Sequence, residues 1–199
     1  RRQQARDRLR ACRAETGSRQ FREPRVTPGQ APSESGLSIR AALAQDQAAV
    51  EDVLGRSYPA LMAQAYDPDL LARALPLITR AHPRLLGSGT YFLAEAQGRA
   101  VGCGGWSLAA PGSSRAERGV AHIRHFATAA DFTSQGVGRL LYERCEIQAR
   151  AAGVEVFKCF SSLNGEGFYA ALGFRRVGPV KVAMGSDLEF PSILMKRRI

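Results

Sequence analysis

A glycine-rich junction between a strand-like segment and a long amphipathic helix constrains the fold of this chain most strongly. The junction is Gln135-Gly136-Val137-Gly138-Arg139, and the helix that it opens extends to about Ala152. Strand-like segments flank this helix, residues 120–128 before it and residues 154–160 after it. Apolar side chains recur on one face of the helix, at Val137, Leu140, Leu141 and Cys145. The pattern predicts a crossover helix between two parallel strands.

The start of this helix has the features of an anion-binding site. The first N–H groups of a helix have no partner within it and lie at the positive end of its dipole. Gly136 and Gly138 allow the backbone to approach a ligand closely. The junction also follows a strand, and ligands bind at the carboxyl ends of strands in open α/β sheets. A glycine-rich turn that binds nothing is the alternative that two glycines leave open.

The rest of the sequence predicts one mixed α/β domain over residues 37–199. Residues 1–36 are predicted to form a flexible Arg-rich tail, because the segment 23–36 is rich in Pro, Gly and Ser and has no apolar period. The turn at Gln97-Gly98-Arg99 predicts a hairpin, and Pro76 is expected to end or kink a helix. The predicted order is β-α-α-β-β-β-α-β-α-β-β, a central mixed sheet flanked by helices.

Composition excludes several classes of protein. Hydrophobic residues make up 45% of the 199 residues, which is enough for a sizeable core. No apolar run approaches the roughly 20 residues of a membrane helix, so a cytoplasmic protein without a membrane partner is expected. The four cysteines have neither CxxC nor metal-ligand spacing and are predicted to be free buried thiols, with no metal site.

The net charge of +10 derives in part from the Arg-rich tail. Such a tail suits contact with nucleic acid, but a solvated tail is the favoured explanation. Because the sequence has no groove-reading motif, nucleic acid is not the expected partner.

The segment Phe168-Tyr169-Ala170-Ala171-Leu172-Gly173-Phe174 follows the second flanking strand. Together with the strand, the Gly-x-Gly junction and the amphipathic helix, it resembles the GNAT acetyltransferase superfamily. The resemblance covers residues 37–197 in element order and is sharpest over residues 120–180. It implies an enzyme that moves an acetyl group from acetyl-CoA to an amine by direct attack in a ternary complex. The acceptor is an amine-bearing small molecule or protein, and a homodimer is compatible with the resemblance.

The resemblance also implies which residues bind acetyl-CoA. The backbone from Gln135 to Arg139 would hold the pyrophosphate, with Thr133 and Ser134 opening the same loop. The strand residues Phe126, Ala127 and Thr128 would pair with the pantetheine arm beside a bulge, where a backbone N–H polarises the thioester carbonyl. Tyr169 would protonate the departing thiolate, unless its hydroxyl caps a backbone group instead.

Three positions depart from the family pattern. Thr133 stands where the loop usually has Gln or Arg, and Ser162 where a pantetheine-binding Asn is frequent, with Asn164 two positions further on. His122 stands where many members carry a catalytic Glu, so it is the expected base. His125 would face the other side of the strand. Glu95 on the preceding hairpin, or a water relay without a side-chain base, remains an alternative.

The first two helices are expected to form the acceptor pocket, lined by Tyr58, Met62, Tyr66 and Tyr91. The departures at Thr133 and Ser162 favour a second hypothesis, a non-catalytic module that keeps the fold and senses acyl-CoA. A third hypothesis is a nucleic-acid-associated protein that binds through its tail.

Overall fold

A computed structural model of the chain describes residues 36–185 and 187–199. Seven strands form one mixed sheet in the order β1-β2-β3-β4-β5-β7-β6. The strands are β1 (Leu37–Ala41), β2 (Tyr91–Ala96), β3 (Arg99–Ser107), β4 (Val120–Thr128), β5 (Val156–Ser161), β6 (Arg175–Met184) and β7 (Leu188–Arg198). The predicted flexible tail lies outside the described residues, apart from Gly36.

Five α-helices in the described part of the chain flank the sheet. They are α1 (Gln47–Met62), α2 (Pro68–Ile78), α3 (Pro83–Leu86), α4 (Val137–Ala151) and α5 (Glu166–Ala171). Asp67 caps α2 by accepting from the N–H groups of Asp69 and Leu70, and Pro68 occupies the first turn, where no N–H is needed. No helix in the described part of the chain is long and apolar enough to cross a membrane.

The sheet has the predicted topology. Strands β1 to β4 pair antiparallel, with the β2–β3 hairpin turning at Gln97 and Gly98. Strand β4 then pairs parallel with β5 through the crossover helix α4. The order of elements is the predicted one, with the short helix α3 added before β2. The fold is therefore the expected mixed α/β sheet flanked by helices.

The structure corrects two local predictions. Helix α2 continues two residues beyond Pro76, because a proline in the last turn removes only one helical hydrogen bond. Strand β7 begins at Leu188, although the apolar pattern of the sequence predicts a strand only near residues 193–196. Pro191 obscured its first half. Residues 188–192 pair with β6 alone, and a proline is tolerated where a strand has one unpaired side.

Strands β4 and β5 separate soon after they begin to pair. Their parallel register covers only three pairs, from Val120 with Val156 to His122 with Lys158. On the other side of β4, His125 and Phe126 together oppose Gly104 of β3, since the register passes from Arg124 with Gly105 to Ala127 with Cys103. This β-bulge bends β4 away from β5 and opens the middle of the sheet.

Candidate active site

One cavity of about 610 Å³ occupies the opening between β4 and β5. Its wall includes the second half of β4, residues 123–128, and the turn and first residues of α4. Helix α1 and the β6–β7 hairpin contribute to the same wall. Residues from the end of β5 and from α5, including Ser162, Asn164 and Tyr169, line it as well. The cavity thus brings together most of the site residues that the sequence predicted.

The glycine-rich turn presents the start of α4 to this cavity. Gly136 has a φ of +84°, a left-handed conformation that glycine adopts without strain, and an added Cβ there would meet no atom within 4 Å. The first bond of the helix runs from the N–H of Leu140 to the carbonyl of Gly136, at 3.0 Å. The preceding N–H groups of α4 therefore have no acceptor within the helix and are available to an anion.

Side chains of the turn brace its backbone. The hydroxyl of Thr133 donates to the carbonyl of Ala130 at 3.0 Å, and the amide of Gln135 donates to the carbonyl of Asp131, also at 3.0 Å. Thr133 and Ser134 line the cavity, but Gln135 does not. The side chain of Gln135 therefore positions the turn, and only its backbone remains for a ligand.

Gly138 has a role that the sequence did not indicate. A Cβ at this position would lie 3.0 Å from the ring of Phe168, closer than ordinary carbon contacts. Absence of a side chain therefore lets the start of α4 pack against α5. Phe168 in turn contacts Phe126, with ring centroids 6.4 Å apart. These two rings join the turn to the bulge of β4.

The bulge itself is fixed by hydroxyl groups from two other elements. Tyr91 of β2 donates to the carbonyl of His125 at 2.9 Å, and Tyr58 of α1 lies 3.4 Å from the carbonyl of Phe126. His125 has a φ of +45°, which is unusual for a residue with a side chain. Opposite the bulge, Gly104 leaves room for the ring of Phe126. The irregular backbone of β4 is thus held in place from both faces.

Tyr169 lies in the cavity wall. Its side chain is almost completely buried, and burial raises its pKa well above the ordinary value. Within the described residues its hydroxyl has no hydrogen-bond partner, so it caps no backbone group there. The hydroxyl is protonated at neutral pH and can donate to a ligand atom.

The structure does not bring the expected bases to the cavity. His122 lies in the paired part of β4, buried, and is not among the lining residues; its Nδ1 has no partner among the described residues. Burial, followed by Lys158 and Arg124, lowers its pKa. Glu95 also lies elsewhere, since both of its carboxylate oxygens accept from Arg40, at 2.9 and 3.1 Å.

His125 lines the cavity instead, because the bulge reverses the alternation of β4. Burial, followed by the charge of Arg124, lowers its pKa to about 4, although a hydrogen bond to the backbone of Ile78 acts in the opposite direction. His125 is therefore neutral at pH 7.

Two of the four predicted acceptor residues line the cavity, Tyr58 and Met62. The other two support the surrounding structure. Tyr66 stacks on Phe190 at 4.5 Å, and its hydroxyl donates to the carbonyl of Pro191 and accepts from the N–H of Leu163. Tyr91 is fully buried beneath the bulge. The sequence could assign these residues to their helices and strands, but whether each one lines the cavity depends on the direction of its side chain.

Sequence reasoning missed Arg124, a half-buried cation in the cavity wall. It lies two residues before Phe126 on β4, and its Nη1 donates to the hydroxyl of Ser107 at 2.9 Å. A charged residue inside an otherwise apolar strand was the available signal, because unpaired charges are rarely buried without a function.

The fold is thus a mixed sheet that opens between two parallel strands, with a glycine turn at the start of the crossover helix and a cavity beside it. The sequence profile of the acetyltransferase (GNAT) domain matches residues 73–189, more than half of the chain. The chain therefore belongs to the GNAT acetyltransferase family, which uses acetyl-CoA as its acetyl donor. No curated protein sequence matches the chain.

Solved structures of this family share the fold. PaiA N-acetyltransferase from Thermoplasma acidophilum, in complex with coenzyme A, is 16% identical with a TM-score of 0.62, covering 82% of this chain and 99% of its own. A GCN5-related N-acetyltransferase from Rhodopseudomonas palustris is 21% identical with a TM-score of 0.65, covering 86% and 99%. The ribosomal-protein-S18-alanine N-acetyltransferase from Escherichia coli is 16% identical with a TM-score of 0.55, covering 82% and 94%.

Proposed function

We propose that this protein transfers the acetyl group of acetyl-CoA to the amine of a small molecule or protein, by direct attack within a ternary complex. One observation carries the proposal. A single cavity extends from the glycine turn to the wall formed by α1 and the β6–β7 hairpin, and Tyr169 lines it. A donor bound at the turn and an acceptor bound against α1 would therefore share one cavity, as direct transfer requires.

The residues at the turn fit acetyl-CoA. The free N–H groups at the start of α4 would hold the pyrophosphate, and Gly136 leaves open space for its approach. Backbone groups of Phe126, Ala127 and Thr128, left without a β5 partner by the opening of the sheet, would pair with the pantetheine amides. Ser162 and Asn164 would bind the same arm from the opposite side of the cavity. When bound, acetyl-CoA supplies the acetyl group as an activated thioester.

Two groups would assist the transfer. A backbone N–H of the bulge, near Phe126 or Ala127, would donate to the thioester oxygen as negative charge develops on it. The Tyr169 hydroxyl would donate to the sulfur that leaves. Because burial raises the pKa of Tyr169, this hydroxyl keeps its proton until the thiolate forms.

Direct attack is favoured over an acyl-enzyme because no activated nucleophile lines the cavity in the described part of the chain. Cys159 lines it, but burial raises the pKa of its thiol to about 12, so that the reactive thiolate is scarce at neutral pH. The hydroxyl of Ser161 donates to the carbonyl of Ser162 at 2.8 Å and contacts no base among the described residues.

The amine would lose its proton through water rather than to a side chain. His122 and Glu95 lie outside the cavity, and the low pKa of His125 makes it a weak base. The reaction would then require the neutral form of the amine. We expect kcat/KM to rise with pH up to the pKa of the acceptor itself, and to follow that pKa from one acceptor to another.

Two measurements test the proposal in sequence. Acetyl-CoA and CoA should each raise the melting temperature by several degrees, whereas an adenine nucleotide should not, because a ligand of the native state stabilises it. Initial rates of thiol release over a panel of amines should then give intersecting double-reciprocal plots. Tight CoA binding without turnover of any amine would instead support a sensor of acyl-CoA, and parallel plots would indicate an acyl-enzyme.

A further inference from the structure

The charges in the cavity wall are unequally distributed. Arg124 and Arg139 line it, and no Asp or Glu of the described residues does. Arg139 belongs to the first turn of α4, beside the N–H groups that would hold the pyrophosphate. Among the described residues, Arg124 is therefore the one permanently charged side chain in the wall apart from Arg139 at the turn.

Arg124 is held in place without being neutralised. Its Nη1 donates to the hydroxyl of Ser107 at 2.9 Å, which fixes one side of the guanidinium. Among the ion pairs of residues 36–185 and 187–199, none includes Arg124. Burial lowers its pKa from the ordinary value. A half-buried cation held in this way gains from an anionic partner. Arg124 lines the active-site cavity and also a second pocket, and of the two only the second has a carboxylate, that of Glu51, in its described wall. The active-site cavity is therefore the space that an anion would enter.

The position of Arg124 relates it to the reacting atoms. It precedes Phe126 by two residues, which corresponds to about 7 Å along a strand. An anion paired with Arg124 would thus share the cavity wall with an amine that attacks at the bulge. The wall of the same cavity also carries the apolar side chains of Leu61, Met62, Ile78 and Phe190.

We propose that the acceptor is an amine that carries a carboxylate on an apolar body, and that Arg124 binds this carboxylate. A guanidinium presents a planar pair of donors that matches the two oxygens of a carboxylate. The absence of Asp and Glu from the described wall disfavours polycationic amines, which would leave a second positive charge unpaired beside Arg124. This inference rests on the proposed function, since it names the class of acceptor for the same site.

Matched amines test the assignment. L-phenylalanine should be acetylated with a kcat/KM at least tenfold above that of 2-phenylethylamine, which lacks only the carboxylate, and L-methionine should exceed 3-(methylthio)propylamine likewise. The variant Arg124→Met should abolish both preferences, and Arg124→Lys should retain part of them. Arg84→Met is the control, because Arg84 is exposed on α3 outside the cavity and its replacement should leave the preferences unchanged.

A binding measurement separates this inference from the proposed function. By calorimetry, without CoA, N-acetyl-L-phenylalanine should bind at least tenfold more tightly than its amide, and Arg124→Met should remove the difference. Equal binding of acid and amide would overturn the assignment even if amines are acetylated. Tighter binding of the acid would support the carboxylate assignment even if no amine in the panel were acetylated. Absence of turnover would refute only the proposed function. Faster acetylation of 2-aminoethyl phosphate than of β-alanine would overturn the carboxylate in favour of a phosphate.

Discussion

The replacement Gly104→Ala tests whether the bulge of β4 shapes the donor site. An alanine Cβ at position 104 would lie 2.5 and 2.6 Å from two carbons of the Phe126 ring. Carbon atoms in contact are normally about 3.5 Å apart, so the ring or the strand must move by roughly 1 Å. Overpacking of this size costs about 1–3 kcal/mol. In a domain of this length each kcal/mol lowers the melting temperature by about 2–4 °C.

If the ring of Phe126 moves to relieve the clash, it alters the shape of the donor site. Its ring borders both Phe168 and the cavity, so that a rotation away from Gly104 moves it into the space beside the turn. We therefore expect Gly104→Ala to lower the melting temperature and, in addition, to reduce the further rise in melting temperature that saturating acetyl-CoA produces.

Gly55→Ala provides the matched control. Gly55 lies in the interior of α1, and a Cβ there would meet no atom within 4 Å. The same chemical change should therefore stabilise the protein by about 1 kcal/mol, because alanine is the better helix former, and leave the response to acetyl-CoA unchanged. If Gly104→Ala matched the wild type in both melting temperature and acetyl-CoA response, the role assigned to the bulge would be wrong.

Three further predictions concern single side chains. Tyr169→Phe should lower kcat by about 10²-fold or more while the melting shift with acetyl-CoA persists; an equally fast variant would remove Tyr169 as proton donor. Hydrogen bonds from Arg40 lower the pKa of Asp46 in the folded protein. The ionised Asp46 carboxylate therefore stabilises the fold above about pH 4, and this contribution is lost as the pH falls through the pKa of the folded state. In urea titrations, Asp46→Asn should lower the free energy of unfolding at pH 7 and lower it much less at pH 2. The pKa of His125 is about 4 in the folded protein and about 6.5 in the unfolded chain, so the unfolded chain is protonated first as the pH falls. The free energy of unfolding should therefore decrease between pH 6.5 and pH 4. In His125→Gln, measured by urea titration, this decrease should be smaller by about 3 kcal/mol.

The sequence was sufficient to predict the framework of the fold. The crossover from β4 through α4 to β5 depends on local periodicity and on a glycine turn, and both are properties of neighbouring residues. The hairpin at Gln97 and Gly98 depends on turn chemistry in the same way. Such features can be recognised from a short window, and the order of elements follows from them.

The details of the site could not be predicted in this way, because they depend on contacts between distant residues. Which base candidate reaches the cavity is decided by the bulge at His125 and Phe126, which depends on Gly104 in another strand. Tyr91 was expected to line the pocket, yet its hydroxyl bonds a carbonyl 34 positions further along the chain. The roles assigned to the site residues, and the domain boundary at residue 37, stay predictions that the proposed experiments address.

The short pairing between β4 and β5 has a consequence for the behaviour of the molecule in solution. Beyond His122, one side of β4 forms no backbone hydrogen bonds with β5. In most sheets only an edge strand has such an unpaired side. Such strands recruit other chains and promote aggregation. Here the unpaired side lies in the middle of a seven-stranded sheet, between the walls of a cavity. The backbone groups on this side of β4 are therefore accessible to a narrow ligand in the cavity, but not to the strand of a second protein molecule.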